Sequence, residues 1–380
     1  MARSPGAVAA TGLAALAAAI GIGRFAFTPV LPAMQEDFGV TVAQGGWLAS
    51  ANYIGYFLGA LAAVRVELPP ASAARIGLAI IAIATLAMGL VHRFDAWIAL
   101  RAAAGFASAW VLVYLSAWAL EELAAAGRAD LGGAVYAGVG TGIFAAGAAC
   151  LVLFHYRFDS SQAWIALGIA ALLLAIRLWN RAGAQRPRSA PAAPSDAPHA
   201  VPEYWQLVLS YGAFGLGYIV PATFLPLMAK QAVADPGVFG WAWPVFGAAA
   251  ALSTLGAARL GRAIGTRRVW AAGNLVMAAG VLVPIALPTL PGIIFAALCV
   301  GGTFMVITMA GLQEARRIAG TASRPLMAAM TSAFALGQIA GPLLVSALAG
   351  RPNGFAYALT ASAVPLVLAA WALAGRSQPR

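Results

Sequence analysis

Long apolar runs alternate with short polar stretches along the whole 380-residue chain. Twelve such runs fall at roughly 8–34, 41–64, 74–91, 96–120, 131–154, 162–179, 204–229, 237–257, 267–287, 291–312, 323–348 and 354–374. Each is close to the roughly 20 residues that a helix needs to cross the hydrocarbon core of a bilayer. None shows period-two alternation, so the runs predict helices rather than the strands of a barrel. Lipid tolerates only those two architectures, because backbone groups must be paired internally. The first run also has the outline of a leader peptide, with Ala17-Ala18-Ala19 as a nominal cleavage point. It continues past that point and similar runs follow it, which favours a first span.

Residues 180–203, NRAGAQRPRSAPAAPSDAPHAVPE, break this rhythm. Rich in Pro, Ala and Arg and without apolar period, they read as a flexible, solvated linker. They divide the chain into an N-terminal half, 1–179, and a C-terminal half, 204–380, of six predicted spans each. The halves are related in sequence. Gly21 to Met34, GIGRFAFTPVLPAM, aligns without a gap onto Gly215 to Met228, GLGYIVPATFLPLM, at an offset of 194. The same offset pairs Gly46-Trp47 with Gly240-Trp241. The predicted fold class is therefore an all-α polytopic membrane protein with twelve transmembrane helices in two pseudo-symmetric six-helix bundles.

Composition agrees: 62% of residues are hydrophobic and 9% charged, against roughly a quarter charged in a soluble domain. The net charge of +11 is spread as punctuation between apolar runs, which argues against a nucleic-acid partner. With the spans alternating, Arg65, Arg75, Arg128, Arg177, Arg267, Arg316 and the linker arginines fall on the side of both termini. The other side carries only Arg93, Arg157, Lys230 and Arg351. The excess of basic residues predicts that both termini and the linker are cytoplasmic, in a bacterial inner membrane. Cys150 and Cys299 lie inside apolar runs and offer no metal-ligand spacing, and His92, His155 and His199 sit in predicted loops far apart.

The layout and repeat resemble the major facilitator superfamily. Leu100-Arg101-Ala102-Ala103-Ala104-Gly105 resembles its fourth-helix signature. Ala258 to Val269 resembles its loop between helices 8 and 9, departing from the pattern at Arg262, where an acidic residue is usual. More narrowly, GIGRFAFTPVLPAMQ, NYIGYFLGAL (Asn52 to Leu61) and FALGQIAGPL (Phe334 to Leu343) are similar to the YbfB/YjiJ-type branch. The resemblance implies a transporter in which helices 1, 4, 7 and 10 line a central cavity. It carries no substrate with it.

Arg24 and Arg101 are the only charges that fall well inside predicted spans. A cation at the centre of a membrane helix costs at least about 2.5–3.5 kcal/mol, and such residues face the interior and mark ligand pathways. Two readings stay open: a guanidinium that meets a carboxylate or phosphate in its planar fork, or one that caps carbonyls freed by Gly21, Gly23, Pro29 and Pro32. All carboxylates lie at or near span ends, and Glu121 and Glu314, the nearest to a buried protonation site, are expected to be solvated. Among polar residues inside spans, which commonly serve as interhelical glue, the repeat places Tyr218 opposite Arg24. Thr303 joins the candidate binding set, as do Asn52 and Gln338 on the strength of the resemblance. Gly138-x-Gly140-x-Gly142 and Gly337-x-x-x-Gly341-Pro342 read as close packing. No glycine-rich stretch ends in the Lys-Ser/Thr of a phosphate loop. No cofactor is expected, and no catalytic constellation suggests an enzyme.

The expectation is a monomeric secondary transporter working by alternating access, with a small anionic substrate and a coupling proton or cation as possible partner. The alternatives are an efflux pump for apolar compounds and a non-transporting membrane sensor. A fluorescent reporter that folds only in the cytoplasm, fused after Arg380, is expected to fluoresce, and fused after Arg93 to stay dark. The reverse pattern would overturn the orientation.

Overall fold

The computed structural model describes residues 4–66, 68–181, 202–233, 235–320 and 323–374, so most of the predicted linker lies outside the described residues. The described residues form helices and connecting turns, with no strands among them. In chain order these are α1 (Pro5–Leu16), α2 (Phe27–Phe38), α3 (Val42–Arg65), α4 (Pro70–Leu90), α5 (Phe94–Ala125), α6 (Gly132–His155) and α7 (Ser160–Leu178). Then follow α8 (Pro202–Ala232), the single turn α9 (Pro236–Phe239), α10 (Ala242–Ile264), α11 (Thr266–Ala286), α12 (Leu290–Ala319), α13 (Ser323–Leu348) and α14 (Gly354–Ala374). With α1 and α2 as two parts of one broken helix and the single turn α9 set aside, the described residues form twelve helical units. Ten segments are long and apolar enough to cross a membrane. The other two units, α3 and α10, are 24 and 23 residues long; α10 is apolar over Ala242–Ala257, and α3 carries buried Asn52 and Tyr53, which face protein instead of lipid.

Local sequence sets the helix starts. Thr41 and Gln44 form a reciprocal capping box at α3, and Asp159 with Gln162 forms another at α7, each satisfying two otherwise orphaned N–H groups. Leu252, Leu209 and Trp371, between 68% and 78% exposed, lie on the outside, where lipid is their solvent. α5 and α12, with 32 and 30 residues, reach about 45–48 Å at 1.5 Å per residue, well beyond the roughly 30 Å core.

That overrun corrects one expectation. The carboxylate of Glu314 is buried, not solvated. Because α12 continues to Ala319, Glu314 is held against the start of α11. It accepts hydrogen bonds from Thr266 Oγ1 (2.5 Å) and from Arg317 at 2.8 and 3.0 Å. Arg267, also buried, approaches to 4.0 Å, donates to Glu203 at 2.8 Å and to Gln206 at 2.8 Å, and reaches the Leu373 carbonyl at 3.1 Å. Glu121, at the equivalent overrun of α5, is exposed as expected.

Helix neighbours repeat along the chain. α3–α5, α4–α7, α4–α5 and α1–α6 pack as α10–α12, α11–α14, α11–α12 and α8–α13 do. The two sets meet through α6–α10, α3–α13 and α2–α8. The α6–α10 contact needs glycine: a Cβ on Gly140 would sit 2.2 Å from the Ala251 nitrogen. Gly140→Ala is therefore expected to lower the thermal unfolding temperature through an overpacking cost of about 1–3 kcal/mol. Gly256→Ala on α10, with open space around it, is expected to leave it unchanged or raised. Equal behaviour of the two variants would contradict this packing.

Candidate functional site

The first span does not stay α-helical. Residues Ala17–Ile22 form a π-helix, and a turn separates it from Phe27. Gly23 N–H bonds to Ala18 O and Phe25 N–H to Ile20 O, both at 3.0 Å, five residues back instead of four. Such a widened turn leaves carbonyls without their usual partners. Gly21 permits it by packing directly on the α6 backbone at Gly142, where a Cβ would lie 2.4 Å from the Gly142 carbonyl carbon.

Neighbouring helices supply the missing donors. Ser108 on α5 donates to Ala19 O at 2.7 Å. Asn52 on α3 donates to Gly23 O at 3.2 Å and to Arg101 O at 2.9 Å. Arg101 on α5 donates from Nη2 to Arg24 O at 3.0 Å, with its guanidinium 4.8 Å from the Phe27 ring centre. The Arg101 side chain and Asn52 thus brace the break from behind.

Arg24 sits on the break itself and is 4% exposed. Its guanidinium lies over the rings of Tyr56, Tyr53 and Phe25, at 4.3, 4.9 and 5.1 Å, contacts that contribute on the order of 1–2 kcal/mol each when desolvated. Nη2 donates to the Tyr218 hydroxyl at 3.4 Å, and Nε has no partner. Among the described residues no carboxylate pairs with Arg24 or Arg101. The Tyr218 ring stacks on both Phe304 and Phe334, and its hydroxyl also accepts from Gln338 Nε2.

Arg24 and Tyr218 close the inner end of a cavity of about 240 Å³, whose wall includes Tyr56, Tyr211, Phe304 and Phe334. The cavity continues past Ser116, Tyr136, Leu312 and Thr331 towards the face where α1 begins and α14 ends, here called the basal face. Of the six residues expected from sequence, Arg24 and Tyr218 border it. Arg101, Asn52 and Gln338 lie one layer behind. Thr303 is not brought to it: its hydroxyl bonds back to Cys299 O at 2.6 Å. Phe304, one residue further and about 100° around the helix, faces the cavity instead. The sequence reading passed over Phe304 and Phe334 because nothing in an apolar run marks one ring as lining and another as lipid-facing.

Beyond Arg24 the two sets of helices are joined. Thr28 donates to Ala222 O at 3.0 Å, Tyr53 and Thr223 share a hydrogen bond of 3.1 Å, and Ser50 donates to Ile339 O at 3.1 Å. At the far face Lys230 pairs with Glu36 at 2.7 Å and donates to Pro32 O at 3.0 Å. Three of these contacts, Arg24–Tyr218, Thr28–Ala222 and Glu36–Lys230, join positions 194 apart, the offset of the internal repeat. Residues that touch their own repeat equivalents lie on the pseudo-two-fold axis. An unaltered duplicate would set like against like there. Here guanidinium meets phenol, hydroxyl meets carbonyl, and carboxylate meets ammonium.

A family model described as "Uncharacterised MFS-type transporter YbfB" matches residues 16–374. No curated protein matches the chain. Among solved structures, a mutant of the nucleoside transporter NupG is similar at TM-score 0.76 and 14% identity, over 97% of this chain and 99% of that one. A bacterial homologue of the human lysosomal transporter Spinster is similar in two inward-facing forms. The unoccupied form gives TM-score 0.70 and 17% identity, over 97% of this chain and 96% of that one. The occupied form gives 0.69 and 16%, over 95% and 94%. At these identities the likeness is one of fold.

The bracing contacts predict a contrast. Asn52→Leu leaves the Gly23 carbonyl at the break unpaired in the interior, and a buried orphan costs about 1–3 kcal/mol, while the Arg101 carbonyl keeps the bond of its own helix. Thermal unfolding of the purified variant is expected at a clearly lower temperature. Thr303→Val removes only a bond within its own helix and is expected to change little; a similar loss in both variants would refute the bracing role.

Proposed function

The chain belongs to the family of uncharacterised MFS-type transporters related to YbfB, and we propose that it carries a small anion across the membrane by alternating access. Transport is the family's role; the anionic substrate, the mechanism and the orientation are our reading. One observation carries it. Arg24 is a nearly fully buried cation at the end of a cavity, without a carboxylate partner among the described residues. A buried charge is tolerated when something balances it, and Arg101 adds a second positive charge behind it. Three rings lie within 4.3–5.1 Å of the Arg24 guanidinium, and an anion reaching it through the cavity would bind in the plane of its N–H groups.

The basal face is cytoplasmic in this reading, from the concentration of arginines there. The cavity then opens inward, and the axial seam from Thr28 to Lys230 is the closed outer gate. For the cavity to open outward, α2 and α8 must part, which breaks the Glu36–Lys230 pair and the Thr28–Ala222 bond. The seam is shallow: a half-exposed ion pair contributes of the order of 1 kcal/mol or less, small enough for substrate binding to outweigh. The aromatic lining with Met305 supports a second reading, efflux of apolar compounds, in which Arg24 is only structural.

Two measurements separate these. In proteoliposomes, small carboxylates or phosphates are expected to give transport currents that Arg24→Ala abolishes. Currents from lipophilic cations or neutral drugs, untouched by Arg24→Ala, would establish the efflux reading instead. For the gate, Thr223→Cys in a Cys150→Ala, Cys299→Ala background is expected to be shielded from a membrane-impermeant maleimide added outside. Adding Lys230→Met is expected to raise its labelling several-fold. Unchanged labelling would remove the seam from the gating account.

A further inference from the structure

We infer that the site takes an aromatic monocarboxylate in which the acid group sits within a carbon or so of the ring. The inference rests on the anion-carrier reading and names the substrate class of that same site.

Charge comes first. Among the described residues that border the cavity, Arg24 is the single charged side chain. One guanidinium edge balances one negative charge. A dianion would need a second cation on the wall, and an ammonium group would meet the field of Arg24 and Arg101 with no carboxylate to receive it.

The hydroxyl of Tyr218 refines this. It accepts from Arg24 Nη2 at 3.4 Å and from Gln338 Nε2. A phenolic oxygen that accepts twice still has its own proton to donate. Nε of Arg24 is also unpartnered, but it and the Tyr218 hydroxyl lie buried just behind the cavity wall, so the two donors meet one acceptor group only when the surrounding rings shift to admit it. A carboxylate, with two oxygens that only accept, fits that set. A primary amide has one accepting oxygen but no charge, and it sets its NH₂ donors where the carboxylate's second oxygen would be.

The body of the ligand is set by the walls. Tyr218 is the middle ring of a stack, 4.8 Å from Phe304 at an interplanar angle of 18° and 5.6 Å from Phe334 at 5°. All three rings border the cavity, with Tyr56 and Tyr211 beside them. The anion donors lie at the hydroxyl end of this stack, so the distance from acid group to ring zone is the length of one phenol. A ligand that meets both carries its ring next to its carboxylate. The cavity, about 240 Å³, lies just below the roughly 300 Å³ at which drug-sized pockets begin, which suits a single ring. Aromatic pairs favour offset or edge-to-face contacts and gain beyond area burial, which a saturated ring of the same size does not reproduce.

The test uses the purified full chain in nanodiscs and three probes of matched size: phenylacetate, cyclohexylacetate and phenylacetamide. Affinities are read from the concentration dependence of thermal stabilisation. Phenylacetate is expected to stabilise saturably, and cyclohexylacetate to need about tenfold more, the fold-change that about 1.4 kcal/mol of ring–ring preference corresponds to. Phenylacetamide is expected to give no shift. Phe334→Leu is expected to narrow the phenyl-to-cyclohexyl ratio towards unity while the acid is still required. The wild-type comparison stands without any variant, should Phe334→Leu fold poorly. If cyclohexylacetate binds as well as phenylacetate and the amide does not bind, the aromatic class is overturned while the anion site survives. If the amide binds as well as the acid, the anion reading itself fails. If phenylacetate, benzoate and 3-phenylpropanoate all leave the protein unshifted, the inference is overturned.

Discussion

A guanidinium in the middle of an apolar bundle must find substitutes for the water it has left, and the centre of this protein is arranged around two of them. Arg101 finds a backbone carbonyl and the Phe27 ring. Arg24 finds the faces of three rings, one phenol oxygen and no counter-charge among the described residues. Rings soften a cation's desolvation but bring no formal negative charge. The interior is therefore locally positive, and the cavity leads to that place. Substrate binding, in the proposed mechanism, completes an electrostatic arrangement that the protein leaves open on one side.

The site and the break in the first span are one construction. An unbroken α-helix would use the carbonyls of Ala19, Gly23 and Arg24 in its own ladder. The π-turn releases them, and Ser108, Asn52 and Arg101 take them up. The same irregularity sets Arg24 on the break, at the inner end of the cavity. Backbone that departs from helix is tolerated at membrane depth only where protein surrounds it, and here α3, α5 and α6 do so. Gly21 and Gly142 make that enclosure possible by letting two backbones touch.

The axial contacts connect this centre to gating. The internal repeat sets equivalent residues of the first span and α8 face to face on the axis, and the pairs 24/218, 28/222 and 36/230 are each complementary. The binding pair is the innermost of the three, so a ligand held between Arg24 and Tyr218 touches both sets of helices at once. Its affinity can then bias how those sets lean, which is the physical requirement for coupling occupancy to access. The Glu314 cluster is different in kind. It ties α8, α11, α12 and α14 together within one set and lies away from the axis.

Much of the architecture was legible in the chain because lipid imposes a simple rule on it: some twenty apolar residues per crossing. The twelve helical units, the related halves, the family and the depth of Arg24 and Arg101 followed from run length, an offset of 194 and the cost of a buried charge. Boundaries drifted where helices outlast the apolar run, as α5 and α12 do, and this is why Glu314 read as solvated. The tertiary structure decided the rest. Run length cannot register a π-turn, because the widened turn depends on donors that arrive from α3 and α5. Nor can it tell which of two adjacent residues faces inward: Thr303 turns back on its own helix while Phe304 borders the cavity. The sequence by itself determined that two cations had to be housed and roughly at what depth. Only the packing of α3, α5, α8, α12 and α13 decided that Arg101 would brace the backbone and Arg24 would meet the cavity, since that depends on which carbonyls and rings other helices bring within reach.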